Sequence, residues 1–187
     1  MTVSGGLGLL RAAKSINFTA TATKVLGNSG KTTADARTSM VNVLVALLGK
    51  GTVALPMLLP LLNPVLVLYG DKVKGPQKAA QEFVSTLLGL CGKHAARLLL
   101  PELAKRTKSW QANEARMHIL SKLCETRPKA MGTCLDDAIP IVTTVLKDIK
   151  PKVKKAAREA LGMLCKIGAN EDVTPLVPTL MSALENT

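Results

Sequence analysis

The sequence predicts an all-α fold, an α-solenoid of antiparallel helical hairpins. Three observations carry this. Prolines recur at near-regular intervals, at Pro60, Pro101, Pro140 and Pro178, each inside an aliphatic run (LLPLL, LLPEL, AIPIV, LVPTL). A period of about 40 residues marks stacked helical hairpins. Second, Val153, Ala156, Ala157, Ala160, Leu161 and Leu164 follow one helix face. The stripe returns one repeat earlier as Ala112, Ala115, Arg116, Ile119, Leu120 and Leu123, and two repeats earlier as Pro76, Ala79, Ala80, Phe83, Val84 and Leu87. Third, hydrophobic residues make up 47% of the chain but aromatic ones only 2%. That composition suits helices meeting through aliphatic ridges and supplies few bulky strand residues.

The elements follow in chain order. Residues 1–34 hold Arg11, Lys14, Lys24 and Lys31, no Asp or Glu, and many Ser and Thr. They are expected to be a leader or a poorly ordered segment: either a transit-peptide composition or a frayed, truncated first repeat. The apolar run Leu7–Leu10 is too short for a secretory signal. The solenoid is expected over 35–187. Residues 35–49 read as a helix with Asp35 as a possible cap. Hairpins then pair about 53–69 with 76–91, 95–106 with 109–126, and 130–147 with 151–167, so that they span 53–91, 95–126 and 130–167. A half repeat at 171–184 follows. Stacked repeats bury their faces on neighbours, so further repeats or a partner are expected at 171–184. The uncharged stretch Gly51–Gly70 is long enough to span a membrane. Pro56, Pro60 and Pro64 weigh against a simple span, because each removes a backbone donor. The period also favours a buried first helix there.

Chemistry is sparse. The four cysteines, Cys91, Cys124, Cys134 and Cys165, form no C-x-x-C pair, and His94 and His118 stand alone, so no metal site is expected. Reduced, buried thiols in a cytoplasmic protein are the default reading. Cys165 falls on Cys124 in the repeat, which predicts that both are packing residues. Residues 27–33 (GNSGKTT) end like a phosphate-binding loop, but the glycine required five positions before Gly30 is Val25. The Asp136–Asp137 pair precedes a helix and is read as capping, since negative charge is favoured there. No Ser or Cys pairs recognisably with a His. No enzyme activity, small-molecule substrate or cofactor is expected.

The net charge is +12, with a pI of about 9.8. That balance favours a polyanionic partner. Lys150, Lys152, Lys154, Lys155 and Arg158 crowd the start of one helix, and Lys105, Arg106 and Lys108 occupy the turn of the preceding hairpin. In projection Lys154 and Arg158 share one flank of the apolar stripe, with Lys152 and Lys155 on the other. Such residues reach phosphates without reading sequence. Aromatic stacking partners are nearly absent, which disfavours single-stranded base recognition. Trp110 is read as helix-start packing in preference to a surface anchor.

The run Asp148-Ile-Lys-Pro-Lys-Val153-Lys154-Lys-Ala156-Ala157 resembles the turn and second helix of a HEAT repeat, a HEAT/armadillo-like unit. The resemblance implies that Asp148 and Lys154 knit neighbouring repeats. Residues 98–184 are similar to the HEAT region of fungal-type translation elongation factor 3. They are also similar to that of the large ribosome-bound activator of the general-control kinase. The match is carried by Trp110 after a hairpin turn, the Cys134-Leu-x-x-x-Ile-Pro-Ile-Val142 run, and Asn170-Glu-Asp-Val173 followed by Leu176-Val-Pro178. It covers about half the chain, and positions 1–50 add nothing to it. It implies a non-catalytic scaffold binding the ribosome, through rRNA backbone and ribosomal proteins, in translation elongation or its regulation. The elongation factor's ATPase cassettes would lie C-terminal to such a segment, so ATP turnover is not implied for this chain. A general protein-docking solenoid of adaptor or transport type, without RNA contact, is the alternative.

Overall fold

In the computed structural model, residues 18–27, 31–51, 54–92, 95–168 and 174–185 are described. Among them every regular element is helical and no strand occurs. The chain divides into two compact units, residues 1–90 and 91–187.

The first unit holds α1 (Phe18–Gly27), α2 (Ala34–Leu48), α3 (Leu55–Leu58), α4 (Leu62–Val67) and α5 (Lys74–Leu90). Helix α1 lies inside the segment 1–34 expected to be a leader or poorly ordered; residues 1–17 fall outside the described part. It packs on α2 and α4 with Ala22 and Leu26 buried, forming the first helix of a hairpin that sequence spacing did not reveal. Its run FTATATKVLG holds too few large apolar residues to show a helical period. Thr33, and not Asp35, caps α2: its extended backbone lets Oγ1 accept a 3.2 Å hydrogen bond from the Ala36 amide, while Asp35 occupies the first turn. Helix α2 ends before Gly51, whose φ of 104° is a left-handed conformation that glycine adopts without strain.

The expected first helix at 53–69 is broken. Helices α3 and α4 alternate with 3₁₀ turns at Leu59–Leu61 and Leu68–Gly70. Prolines at 56, 60 and 64 withhold amide donors, so the ladder tightens locally without dispersing its core. Leu55, Leu58, Leu61, Leu62, Val65 and Leu66 are all buried. No helix among the described residues is long and apolar enough to cross a membrane. Helix α5 buries Pro76, Ala79, Ala80, Phe83, Val84 and Leu87, the predicted stripe, and packs along α2.

The second unit holds α6 (Ala95–Ala104), α7 (Trp110–Thr126), α8 (Pro128–Gly132), α9 (Leu135–Leu146), α10 (Pro151–Ile167) and α11 (Val177–Glu185). Ser109 caps α7 through its hydroxyl, and Pro151 starts α10 at a position where a missing amide costs nothing. The first helix of the third predicted hairpin (130–147) is two pieces, α8 and α9, parted at Thr133 and Cys134. Helix α9 packs on α6, α10 and α11, and α7 packs along α10. Predicted stripe positions are buried in α7, Arg116 included, and in α10. Pro101 and Pro140 sit inside helices with their rings exposed, and the Thr143 and Thr144 hydroxyls donate to the Pro140 carbonyl (3.1 and 2.7 Å). Placing the ring toward water lets solvent satisfy the carbonyl that proline orphans. Arg127 ties the helix ends, donating through Nε to the Cys91 carbonyl and through Nη1 to the Thr126 carbonyl, both at 2.9 Å.

Candidate functional site

The turn between α9 and α10 is built around Asp148. Its Oδ1 accepts from the Lys150 amide at 3.0 Å, closing a local turn, and its Oδ2 receives Arg106 Nη2 at 3.3 Å. The pair brings the turn 105–108 beside the turn 147–150. These are the two basic segments that the sequence singled out. Lys150 and Lys108 are exposed and make no ion pair among the described residues. Lys105 is held by Glu102 at 2.6 Å. Lys152 projects over the half-buried Trp110 ring, its Nζ 5.6 Å from the centroid, a cation–π arrangement across the two hairpins. Lys155 stands 4.0 Å from Glu159, an exposed i, i+4 pair of little energy.

Lys154 and Arg158 occupy a different flank. Helix α7 carries Asn113, Met117 and Cys124 on the side that α10 covers, and all three are buried. The residues at the same register in α10 are Lys154, Arg158 and Cys165; Lys154 is half-buried and the other two are exposed. Helix α2 repeats the covered case, with Arg37, Val41 and Leu48 buried where α5 packs on it. Among the described residues no helix lies against the corresponding flank of α10. The two flanks that helical projection separated therefore differ in kind. Lys108, Lys150, Lys152 and Lys155 lie toward the turn side and outer face, and Lys154 and Arg158 lie on a stacking flank. The same geometry corrects the expectation for Cys165, which is exposed because nothing described covers that flank, whereas Cys91, Cys124 and Cys134 are buried. Burial pushes the Cys91 and Cys124 thiols up to about 11; Arg127 opposes the shift at Cys91 and Glu125 adds to it at Cys124.

The knitting expected of Asp148 and Lys154 takes another form. Asp148 is bound by Arg106, and Lys154 makes no ion pair among the described residues. The full version of that link lies in the first unit. Arg37 Nε and Nη2 reach Asp71 Oδ2 and Oδ1 at 2.8 and 3.2 Å, and Asp71 Oδ1 also accepts from the Val73 amide at 3.0 Å. The side chains are 5% and 3% exposed. Arg37 also donates to the Thr32 carbonyl. Arg37 stands four residues after its helix cap, as Lys154 does, so the repeat register carried a signal for it.

Arg116 is the one charged residue in the predicted stripe. It is buried, and Nη1 donates to Asn113 Oδ1 at 3.2 Å while Nε finds no acceptor. Burial, aided by nearby Arg106 and opposed by Glu102, lowers its pKa to about 10. Asp136 and Asp137 lie exposed in the first turn of α9 and favour its dipole, but neither is the cap residue, which is Cys134. Of the phosphate-loop look-alike, Gly27 ends α1, residues 28–30 lie outside the described part, and Thr33 caps α2. No group of three metal-ligating side chains occurs among the described residues.

Comparison with known proteins bears on this arrangement. The family model for the EF3 N-terminal HEAT repeat matches residues 5–161. Elongation factor 3 of Phytophthora infestans is 36% identical over 132 residues, covering 69% of this chain and 13% of that protein. The eIF-2-alpha kinase activator GCN1 of Dictyostelium discoideum is 28% identical over 138 residues, 73% of this chain and 5% of that protein. The human stalled ribosome sensor GCN1 is 28% identical over 131 residues, again 5% of its length. The chain thus spans a small part of these relatives.

Proposed function

The chain belongs to the family of EF3 N-terminal HEAT repeats, and from that premise we propose that it is a non-catalytic scaffold segment that binds the ribosome in the cytoplasm, in translation elongation or its regulation. The observation that supports this reading most is the pair of adjoining basic turns. Arg106 and Asp148 hold 105–108 beside 147–150, so Lys108, Lys150 and Lys152 present cations together at one end of the hairpins. Lysines so placed suit phosphate backbone, with no means of reading bases. The scarcity of aromatic residues fits double-stranded or structured RNA better than splayed single strands.

The test is salt-dependent co-sedimentation with purified ribosomes. Changing Lys152, Lys154, Lys155 and Arg158 together to Glu is expected to lower binding and flatten its salt dependence. Two half variants separate the flanks. Lys152→Glu with Lys155→Glu should account for most of the loss, and Lys154→Glu with Arg158→Glu for less. Unchanged sedimentation of both the fourfold variant and a Lys108→Glu, Lys150→Glu variant would overturn the proposed site.

A further inference from the structure

The two turns pinned by an aspartate share a feature that RNA binding does not use. Ile149 is 92% exposed, and Val73 in the turn of the first unit is 46% exposed. Each is a β-branched apolar side chain set among lysines: Lys72 and Lys74 around Val73, and Lys147, Lys150 and Lys152 around Ile149, all exposed. Each turn has one carboxylate, and it is turned inward. Asp71 is consumed by Arg37 and the Val73 amide, and Asp148 by Arg106 and the Lys150 amide, their side chains only 3% and 12% exposed. What faces solvent is therefore cationic and aliphatic, with no exposed acid. The aspartate bonds, and in the second unit Pro151, hold the backbone before any partner arrives, so little ordering cost remains on binding. Phosphates employ the lysines but gain nothing from an isoleucine at the tip. A protein segment with carboxylates flanking an apolar side chain uses both.

We infer that the Asp148 turn, and in its own unit the Asp71 turn, docks an acidic protein segment, with Ile149 or Val73 seated among the segment's apolar side chains and the lysines on its carboxylates. This deepens the reading above and rests on its premise that these turns face a partner. The partner is protein, where that reading is satisfied by RNA alone. Lysine substitution would weaken either kind of binding, so the discriminating change is at Ile149. The probes for the full chain are a random Glu–Leu copolymer, polyglutamate of the same length, and a structured RNA hairpin. The chain is expected to bind the copolymer more tightly than polyglutamate. Ile149→Ser should cut copolymer affinity about tenfold, the scale of exposing a buried aliphatic side chain, while leaving polyglutamate and RNA affinity unchanged. A side chain this exposed carries no folding role, and an unaltered unfolding curve confirms it. Equal affinity for copolymer and polyglutamate, no effect of Ile149→Ser, or an equal loss on RNA would each overturn the inference. Charge-independent ribosome sedimentation would remove the ribosome reading and leave the copolymer preference standing.

Discussion

The two aspartate-pinned turns form an internal control for what a buried ion pair is worth. Asp71→Ala removes the carboxylate that faces Arg37 at 2.8 and 3.2 Å, with both side chains almost fully buried. Breaking a buried pair from one side costs about 3–5 kcal/mol, because the remaining charge stays out of water uncompensated. The lost acceptor for the Val73 amide adds about 1 kcal/mol. Asp148→Ala removes the same local turn bond, but its pair with Arg106 is 3.3 Å long and Arg106 is 47% exposed, so the ionic part is worth less than about 1 kcal/mol. The expected losses are therefore about 4–6 kcal/mol for Asp71→Ala and about 1–2 kcal/mol for Asp148→Ala. Urea unfolding of the full chain measures both. Far-UV circular dichroism reports the whole chain, and Trp110 fluorescence, from the single tryptophan, reports the second unit. The double variant Arg37→Met, Asp71→Leu should recover most of the loss, since an apolar pair of similar volume leaves no stranded charge. Equal costs for the two alanine variants, or no recovery in the double variant, would refute the reasoning.

Arg116→Met should be neutral or slightly stabilising, because burial disfavours the cation, whereas Arg116→Ala opens a cavity and should cost about 2–4 kcal/mol; urea midpoints decide. In native protein at pH 8, iodoacetamide should label Cys165 rapidly and Cys91, Cys124 and Cys134 only after denaturant is added, as followed by mass spectrometry. The raised Cys91 and Cys124 values also predict a pH effect. The unfolded thiols ionise near about 8.5 while the native ones keep their protons to about 11, so stability should fall as pH rises through that window. Gly51→Ala should cost about 1 kcal/mol through its positive φ, with no change in neighbouring contacts, since a Cβ there meets nothing within 4 Å.

The spacing of aliphatic residues by itself determined that the chain is helical and which side of each long helix is buried. It also determined that the hairpins repeat at about 40 residues. The stripe Val153 to Leu164 and its two earlier copies are buried at every position, because a helix face is a local property of the sequence. Hairpin α1–α2 escaped because its first helix packs through Ala22 and Leu26 with little apolar bulk to announce it. Coverage by a neighbouring hairpin is not local, and only the tertiary structure decided it. Cys124 and Cys165 share a register position, yet one lies beneath α10 and the other faces solvent. Helical projection alone separates Lys154 and Arg158 from Lys152 and Lys155, but Arg158 is exposed where Met117 at the same register is buried, and that difference comes from packing. Which cation reaches Asp71 or Asp148 also depends on how hairpins stack, a distance that no one-dimensional period contains. The basic cluster and its split between two flanks were legible in helical projection; which flank is a stacking surface, and that the turn 105–108 lies beside the turn 147–150, arose from packing.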